Sequence, residues 1–442
     1  MKITPKTIAD LIRLSALPGG RGIFLRKEYD QQEKRLRKLA TLYRKHFLSR
    51  TRIVTVIGSL GKSTARQIVA AALDCPDRNF SYYNARSSVP SNLMRLRRSD
   101  RHGVIEVSIG PPGIMEARAN MVCPDIVVVT SVKSEHNRTY PTLLDTRQEK
   151  VKMVRVLSKD GIAILNGDDE NVRWMATQTS ARAVFFGMNA DNDIRATKID
   201  LNPDGTSRME IQVAGKTFHF DNPLVGGHMV YPILAAVAVA HVEQMDIPGV
   251  FSRLAKIGPP VSRMEWFTLP NGIRVLDDSF KSSQESVDAA VETFSKMPGR
   301  KIVVMGRIDE PRGKPRDHYR DLGARLAQFA DHILCIGDGE STSLRAGAVN
   351  AGMDISAIKF LGPRIEGGVE WLQTILQPGD LVLIKGSINQ KLRRILLRLM
   401  GKPALCRVKY CGLKISTCDE CPLLNAPESF YQNYFVSRYI EL

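Results

Sequence analysis

The chain has 442 residues, 43% hydrophobic and 25% charged, a composition that fits a globular protein of two or three domains and excludes a disordered or collagen-like one. No apolar run approaches the ~18 residues a membrane span needs, and Asp10 and Arg13 interrupt the apolar stretch near the start, so neither a membrane span nor a secretory leader is expected and the expected compartment is the cytoplasm. The 63 Lys and Arg outnumber the 46 Asp and Glu, and the net charge of +17 points to anionic partners.

Part of that charge is local. Residues 1–50 hold 13 Lys and Arg against 4 Asp and Glu, and Arg26 to Arg50 has a helical pattern that includes Lys34-Arg35-Leu36-Arg37-Lys38. Such a basic helical N-terminal segment suits peripheral contact with an anionic surface or an acidic polymer, or is simply a solvated helix face packed by one edge on the next domain. Aromatic residues are sparse within it and no nucleic-acid module accompanies it, so nucleic acid is not the expected partner.

Residues 51–256 read as an α/β domain. Strands are predicted at Ile53–Ile57, Val104–Val107, Asp125–Thr130, Ile162–Leu165 and Ala183–Phe186, with helical patterns between several of them, the mark of a mostly parallel sheet. The first strand runs into Gly58-Ser59-Leu60-Gly61-Lys62-Ser63-Thr64 and then into a helix. Turn amides and a helix N-terminus attract an anion there; Lys62 can reach the β- and γ-phosphates of ATP, and the Ser63 hydroxyl can sit on Mg²⁺. Gly-x-x-Gly-Lys-Ser is shorter than the strict phosphate loop, because Val56 stands where that pattern has its first glycine. Asn202-Pro-Asp-Gly205 marks a turn in a small antiparallel element over residues 193–222, and a helix follows at Tyr231–Met245.

Residues 257–401 open at Ile257-Gly-Pro-Pro260 and repeat the strand–helix alternation. Strands are predicted at Ile273–Leu276, Ile302–Val304, Ile333–Ile336, Ile358–Leu361 and Leu381–Ile384, with helices at Glu285–Lys296, Tyr319–Phe329, Gly367–Ile375 and Gln390–Met400, a Rossmann-like doubly wound C-terminal domain. The tail, 402–442, holds Cys406, Cys411, Cys418 and Cys421 within sixteen residues. Four soft ligands with one Cys-x-x-Cys pair suit Zn²⁺ or an Fe–S cluster, and free or redox thiols are the other reading; disulfides are not expected in a reducing compartment. Cys75, Cys123 and Cys335 are read as core residues.

Taken in order, these motifs resemble the Mur ligases, most closely their D-alanyl-D-alanine-adding branch, from about Arg52 to Met400. The phosphate loop is joined by Glu106 in Val104-Ile-Glu106-Val-Ser, by His136 after the third strand, and by Lys150 fourteen residues beyond it, with Asn166 a further sixteen on. Gly226-Gly-His228, Arg263, Asp277-Asp278-Ser279-Phe280, Gly306-Arg-Ile-Asp-Glu310 and Lys385-Gly386-Ser387 follow. The resemblance implies an ATP-dependent carboxylate–amine ligase, in which a carboxylate is phosphorylated and an amine displaces the phosphate. It implies that Gly58, Ser59, Gly61, Lys62, Ser63 and Thr64 hold ATP. Ser63 and Glu106 would bind one Mg²⁺, and His136 with Lys150, carbamoylated by CO₂, a second. Lys152 is the local alternative to Lys150. His228, Arg263 and Asp278 would meet the nucleotide, Arg263 acting also in catalysis. Lys281, Glu310, Lys385 and Ser387 would meet the substrate.

The pattern is not copied throughout. Met229 and Pro232 stand where the family has asparagines, and Lys281-Ser282-Ser283 replaces Asn-Ala-Asn, so altered specificity is expected. Only about fifty residues precede the loop, which argues against an ordinary UDP-muramoyl substrate, so the expected carboxylate is a small molecule, a peptide, an acidic chain or a carrier-bound acid, joined to an amino acid or dipeptide. A ligase that builds a poly-γ-glutamate-type polymer and a non-catalytic nucleotide-binding scaffold are the alternatives. Oligomeric state is not legible.

Overall fold

The computed structural model describes residues 33–76, 88–133, 137, 139–337, 339–362, 365–411, 417–421 and 423–426, and the backbone of 440–441. Two compact units divide between Pro260 and Val261.

The first unit is built on one eight-stranded sheet: β1 (Arg52–Ile57), β2 (His102–Glu106), β3 (Ile126–Val129), β4 (Ile162–Asn166), β5 (Arg182–Gly187), β6 (Ile194–Leu201), β7 (Ser207–Val213) and β8 (Lys216–Asn222), in the order β2-β1-β3-β4-β5-β6-β7-β8. All five predicted strands form, within two residues at each end. The central ones are β-branched runs: every residue of Ile126-Val-Val-Val129 is buried, as in a parallel strand covered on both faces. The antiparallel element is not separate. β6 pairs in parallel with β5, and β7 and β8 extend the same sheet as a meander. In β7 burial alternates along Ser207–Val213, so this end of the sheet keeps one wetter face.

The basic segment forms a helix over Glu33–Phe47, while residues 1–32 lie outside the described residues. Leu36, Ala40 and Leu48 are buried along one edge. Tyr43 Oη donates to Leu96 O at 2.7 Å, and Arg44 donates to Val122 O, Cys123 O and the Asp125 carboxylate at 3.0–3.1 Å. The packed-by-one-edge reading describes this helix, and it belongs to the first unit.

The second unit holds β9 (Glu265–Thr268), β10 (Arg274–Asp278), β11 (Lys301–Met305), β12 (His332–Ile336), β13 (Ile358–Leu361) and β14 (Leu381–Lys385), in the order β13-β12-β11-β14-β10-β9. Every pair is parallel except the edge pair β10–β9. β9 was not foreseen, because its four residues follow directly on the junction motif and three of them are half-buried rather than alternating in and out.

Cysteine burial departs from expectation. Cys335 is buried, Cys75 is half-buried, and Cys123 is exposed at the left-handed end of the helix Ile114–Val122.

The helices Pro315–Leu326 and Thr342–Asn350 approach through two glycines. A Cβ on Gly323 would stand 2.0 Å from Leu344 O, and one on Gly347 would stand 1.9 Å from Arg320 O. Backbone cannot retreat as a side-chain tip can, so Gly347→Ala is expected to destabilise the second unit by about 2 kcal/mol. A lower urea midpoint for that unit's transition is the measurement; an unchanged midpoint contradicts the packing described.

Candidate active site

β1 ends at Ile57 and the chain turns sharply at Gly58 (φ 144°) and Gly61 (φ 72°), values that favour glycine. Gly58 has a second reason to be glycine: a Cβ there would lie 2.0 Å from Thr130 Oγ1 and 3.0 Å from Ser131 N. The turn is laced to the segment after β3. Ser59 N donates to Ser131 O (2.8 Å), Leu60 N to Ser131 Oγ (3.1 Å), Ser59 Oγ to Lys133 O (2.9 Å) and Thr130 Oγ1 to Leu60 O (2.5 Å). Asn166, at the end of β4, donates to Thr130 O at 2.8 Å, and Asp169 accepts from Val132 N at 2.9 Å, so three strand ends brace one loop.

The helix Lys62–Ala72 starts straight from this turn. Its N-cap, Gly61, supplies no side-chain cap, and no acidic residue lies in its first turn. Its first amides therefore face the loop uncapped, with the positive end of the helix behind them. Lys62 is buried and donates from Nζ to Ser59 O at 3.0 Å. Ser63 is half-buried and Thr64 buried in the first turn.

Lys150 has no exposed surface, and its Nζ donates to Gly58 O at 2.7 Å, bringing the helix Leu143–Arg155 onto the same turn. Lys152, the local alternative, goes elsewhere: it pairs with Glu149 at 2.7 Å, and Glu149 accepts from Gly113 N and Met115 N at the start of another helix. Glu106 is the last residue of β2, half-buried, and pairs in register with Val56, two positions before Gly58. His136 lies outside the described residues.

A Cβ on Gly61 would come within 3.9 Å of Pro232, which puts the start of the helix Val230–Val242 beside the loop. His228 is exposed just before that helix, whereas Met229 is buried, so position 229 belongs to the packing. Pro232 sits in the first turn, where its missing N–H costs nothing. Tyr231 hydrogen-bonds Asp168; burial, and then the Asp168 carboxylate, push its phenol up to about 12, so it remains a proton donor.

In the second unit, parallel register sets Asp278, Lys385 and Met305 side by side at the carboxyl ends of β10, β14 and β11. Lys385 is fully buried. Its Nζ meets Asp278 Oδ2 at 2.8 Å and donates to Lys281 O and to Ser286 Oγ (3.2 Å). Burial lowers its pKa against the pull of Asp278. It is buried, and its contacts order Asp278 and the Lys281 backbone. Arg263 lies over the Phe280 ring at 4.5 Å, which fixes its guanidinium. Glu310 has a strained φ of 45° and is half-buried.

Two groups here escaped the sequence reading. Asp309 donates its N–H to Ser282 O (2.7 Å), and its carboxylate hydrogen-bonds Ser387; burial raises its pKa, while Ser387, Lys281, Arg307 and Lys385 oppose that. It sits one residue before Glu310, and its contacts with Ser282 and Ser387 are not legible from sequence. Arg393 joins Asp277 (2.7 Å), Glu265 (3.0 Å) and Ser262 (3.3 Å), gathering the Arg263 junction and the Asp277–Asp278 strand end on one side chain. Burial pushes the Asp277 carboxyl upward and Arg393 pulls it back. Ser282 and Ser283 carry buried hydroxyls with no hydrogen-bond partner among the described residues.

Two descriptions of one protein family match the chain: the Mur ligase middle domain over residues 50–240 and the Mur ligase glutamate ligase domain over residues 262–388. The chain belongs to the Mur ligase family. Both matches fall within the units described above, and members of the family are ATP-dependent peptide ligases. Similar proteins include the UDP-N-acetylmuramoyl-tripeptide–D-alanyl-D-alanine ligase of Escherichia coli K12, 26% identical over 65% of this chain and 64% of that one. The chain thus spans slightly under two thirds of that relative. The ligase of the same name from Mycobacterium tuberculosis H37Rv is 26% identical over 76% of this chain and 70% of its own. Among solved structures, MurF from Acinetobacter baumannii has TM-score 0.74 at 21% identity, covering 84% and 81%. The MurF ligase of Thermotoga maritima, solved in complex with ADP, has TM-score 0.71 at 21% identity, covering 84% of each chain. These likenesses show the two-domain α/β fold.

Two outcomes follow from the geometry. Gly58→Ala must push the loop off Thr130 and Ser131; a misplacement of about 1 Å is expected to cost on the order of 10²-fold in ATP turnover, with the fold intact by circular dichroism. Asp309 titrates above its ordinary 3.8 because it is buried. Between 3.8 and its raised value the native state holds more protons than the unfolded one, so stability falls as pH rises through that window. Asp309→Asn is expected to flatten that fall and raise Tm at neutral pH; an unchanged pH profile rejects the assignment.

Proposed function

We propose that this chain activates a carboxylate with ATP and joins it to the amine of an amino acid or dipeptide, releasing ADP and phosphate. One observation carries this reading: Lys62 and Lys150 both donate to carbonyls of one glycine turn at the carboxyl edge of the sheet, and Glu106 ends the strand paired beside it. A scaffold would have no need to bury Lys150 against that turn.

The residues fit ATP and Mg²⁺. The uncapped helix start and the glycine whose place a Cβ would fill form a cradle for phosphate oxygens, and Ser63 with Glu106 offers the hard oxygen ligands Mg²⁺ takes. Bound Mg²⁺ supplies positive charge against the phosphates. Lys62 exchanges the Ser59 carbonyl for a phosphate oxygen and stabilises charge as the phosphoryl group transfers. Lys150, carbamoylated, would turn from cation to anionic ligand, and His136 is the other proposed ligand. Arg263, His228 and Asp278 are proposed nucleotide contacts, and Lys281, Glu310 and Ser387 substrate contacts. The idle hydroxyls of Ser282 and Ser283 support an incoming polar group in that region, since an unpaired buried hydroxyl costs about 1–3 kcal/mol.

The relatives are named for joining D-alanyl-D-alanine to UDP-N-acetylmuramoyl-tripeptide. That pair is the first substrate set proposed, within a wider class of muramoyl-peptide, peptide or carrier-bound acids. Dependence on ATP supports action in the cytoplasm. Among the described residues no helix is long and apolar enough to cross a membrane.

The test is ADP release with ATP, bicarbonate, a carboxylate panel headed by the muramoyl tripeptide, and a panel of amino acids and dipeptides. Amine-dependent ADP release is expected, and its absence across the panel overturns the ligase reading. Mass spectra of the products separate single addition from a growing ladder. Lys62→Ala is expected to cut turnover on the order of 10²–10³-fold. Lys150→Ala is expected to be inactive and partly rescued by short carboxylic acids, which restore the anion; rescue by amines instead would show that Lys150 works as a cation.

A further inference from the structure

The cysteine tail brings together four thiols that ligation leaves unused. Cys406, Cys411, Cys418 and Cys421 line one cavity of about 20 Å³. Cys411 and Cys418 are buried, and none of the four forms a disulfide. The backbone binds the two cysteine segments together: Cys406 N donates to Leu424 O (2.8 Å), Leu424 N to Cys421 O (3.0 Å) and Cys421 N to Cys418 O (3.2 Å). The cavity has room for about one water-sized sphere, which admits one ion and not a multi-atom iron–sulfur cluster.

A second observation asks for negative charge at this place. Arg394 has no exposed surface. Its N–H groups go to the carbonyls of Lys391, Cys406, Gln390 and Val408, and one lies 3.6 Å from Cys406 Sγ. Among the described residues no carboxylate pairs with it. A guanidinium does not give up its proton, and an uncompensated buried charge is heavily penalised. Lys391, also buried, lines the same cavity. Four thiolates on a divalent cation carry two net negative charges, which these two side chains would balance. The tail's described apolar cluster is small: Leu397, Ala404 and Cys418, with Leu424 against them.

We propose that Cys406, Cys411, Cys418 and Cys421 hold one structural Zn²⁺, with Arg394 and Lys391 as its counter-charges. Each thiol releases its proton to solvent as its sulfur bonds the metal, four protons for one Zn²⁺. Among the described residues no group of three or more ligands stands ready-made around an ion, so binding draws the thiols inward from the cavity wall.

The full chain, purified without added metal, is expected to carry about one zinc by elemental mass spectrometry. Cobalt exchanged into it is expected to show thiolate charge-transfer bands and tetrahedral d–d bands. The Cys418→Ser/Cys421→Ser double variant should lose the metal, and Cys75→Ser should keep it. Arg394→Met, with all four thiols intact, should release zinc to a chelator about tenfold more readily. A metal-free wild-type chain that gives no tetrathiolate cobalt spectrum overturns the proposal, and so does bound iron with inorganic sulfide. Neither measurement depends on a variant that folds.

Discussion

The carbonyl of Gly58 accepts a hydrogen bond from the ammonium of Lys150, 92 residues further along the chain and sealed from solvent. That bond sets the first unit's site. A turn glycine at the end of a strand is free to point its carbonyl in many directions; a buried cation at 2.7 Å leaves it one. With that carbonyl fixed, the amides of Ser59 and Leu60 reach back to Ser131, and the helix from Lys62 starts uncapped. A charged hydrogen bond of this kind contributes about 1.5–3 kcal/mol, enough to hold a loop of few residues against its own entropy. The electrostatic sign of Lys150 is therefore part of the loop's geometry, and a change from ammonium to carbamate would alter both together.

The second unit reaches the same end by burying charge behind the surface that works. Lys385 and Asp278 form an ion pair with almost no exposure, and Arg393 does the same for Asp277. Such pairs are expensive to bury and gain little net stability over apolar packing. Their return is geometric. Lys385 reads the backbone carbonyl of Lys281, and Asp309 reads that of Ser282 through its own amide, so the segment after β10 is anchored by main-chain atoms.

Much of this was legible in the sequence, and the limits have physical causes. Ten strands were placed to within two residues at either end because β-branched runs such as Ile126–Val129 can be buried on both faces only in a covered sheet. The glycine turn and Lys62 were legible from local pattern, and Glu106 and Lys150 from the family resemblance; Lys62 and Lys150 both hydrogen-bond carbonyls of that turn, and Glu106 ends the strand paired beside it. What spacing could not show is which way a side chain turns. Lys385 stands at a strand end like a ligand contact but points into the protein, and Asp309 beside Glu310 carries the contacts with Ser387 and the neighbouring lysines. The antiparallel element at β6–β8 was legible from its turn and alternation, but not that it continues the same sheet, because a change in alternation marks a change of solvent exposure and not of sheet.

Main-chain anchoring also accounts for where the chain departs from its family's pattern. Lys281, Ser282 and Ser283 differ from that pattern, yet the contacts that hold residues 281 and 282 use their carbonyls, which any residue supplies. Side chains there can change without loosening the fold. Met229 and Pro232 follow the same logic in the first unit: one is buried in packing and the other occupies a helical first turn that spends no N–H. Positions whose side chains carry the geometry, Lys150, Asp278 and Arg393 among them, have no such freedom, because their partners are aimed groups in fixed places. The fold thus separates residues that build the site from residues that choose what enters it. The hydroxyls of Ser282 and Ser283, buried with no hydrogen-bond partner among the described residues, fall in the second class under the proposed function.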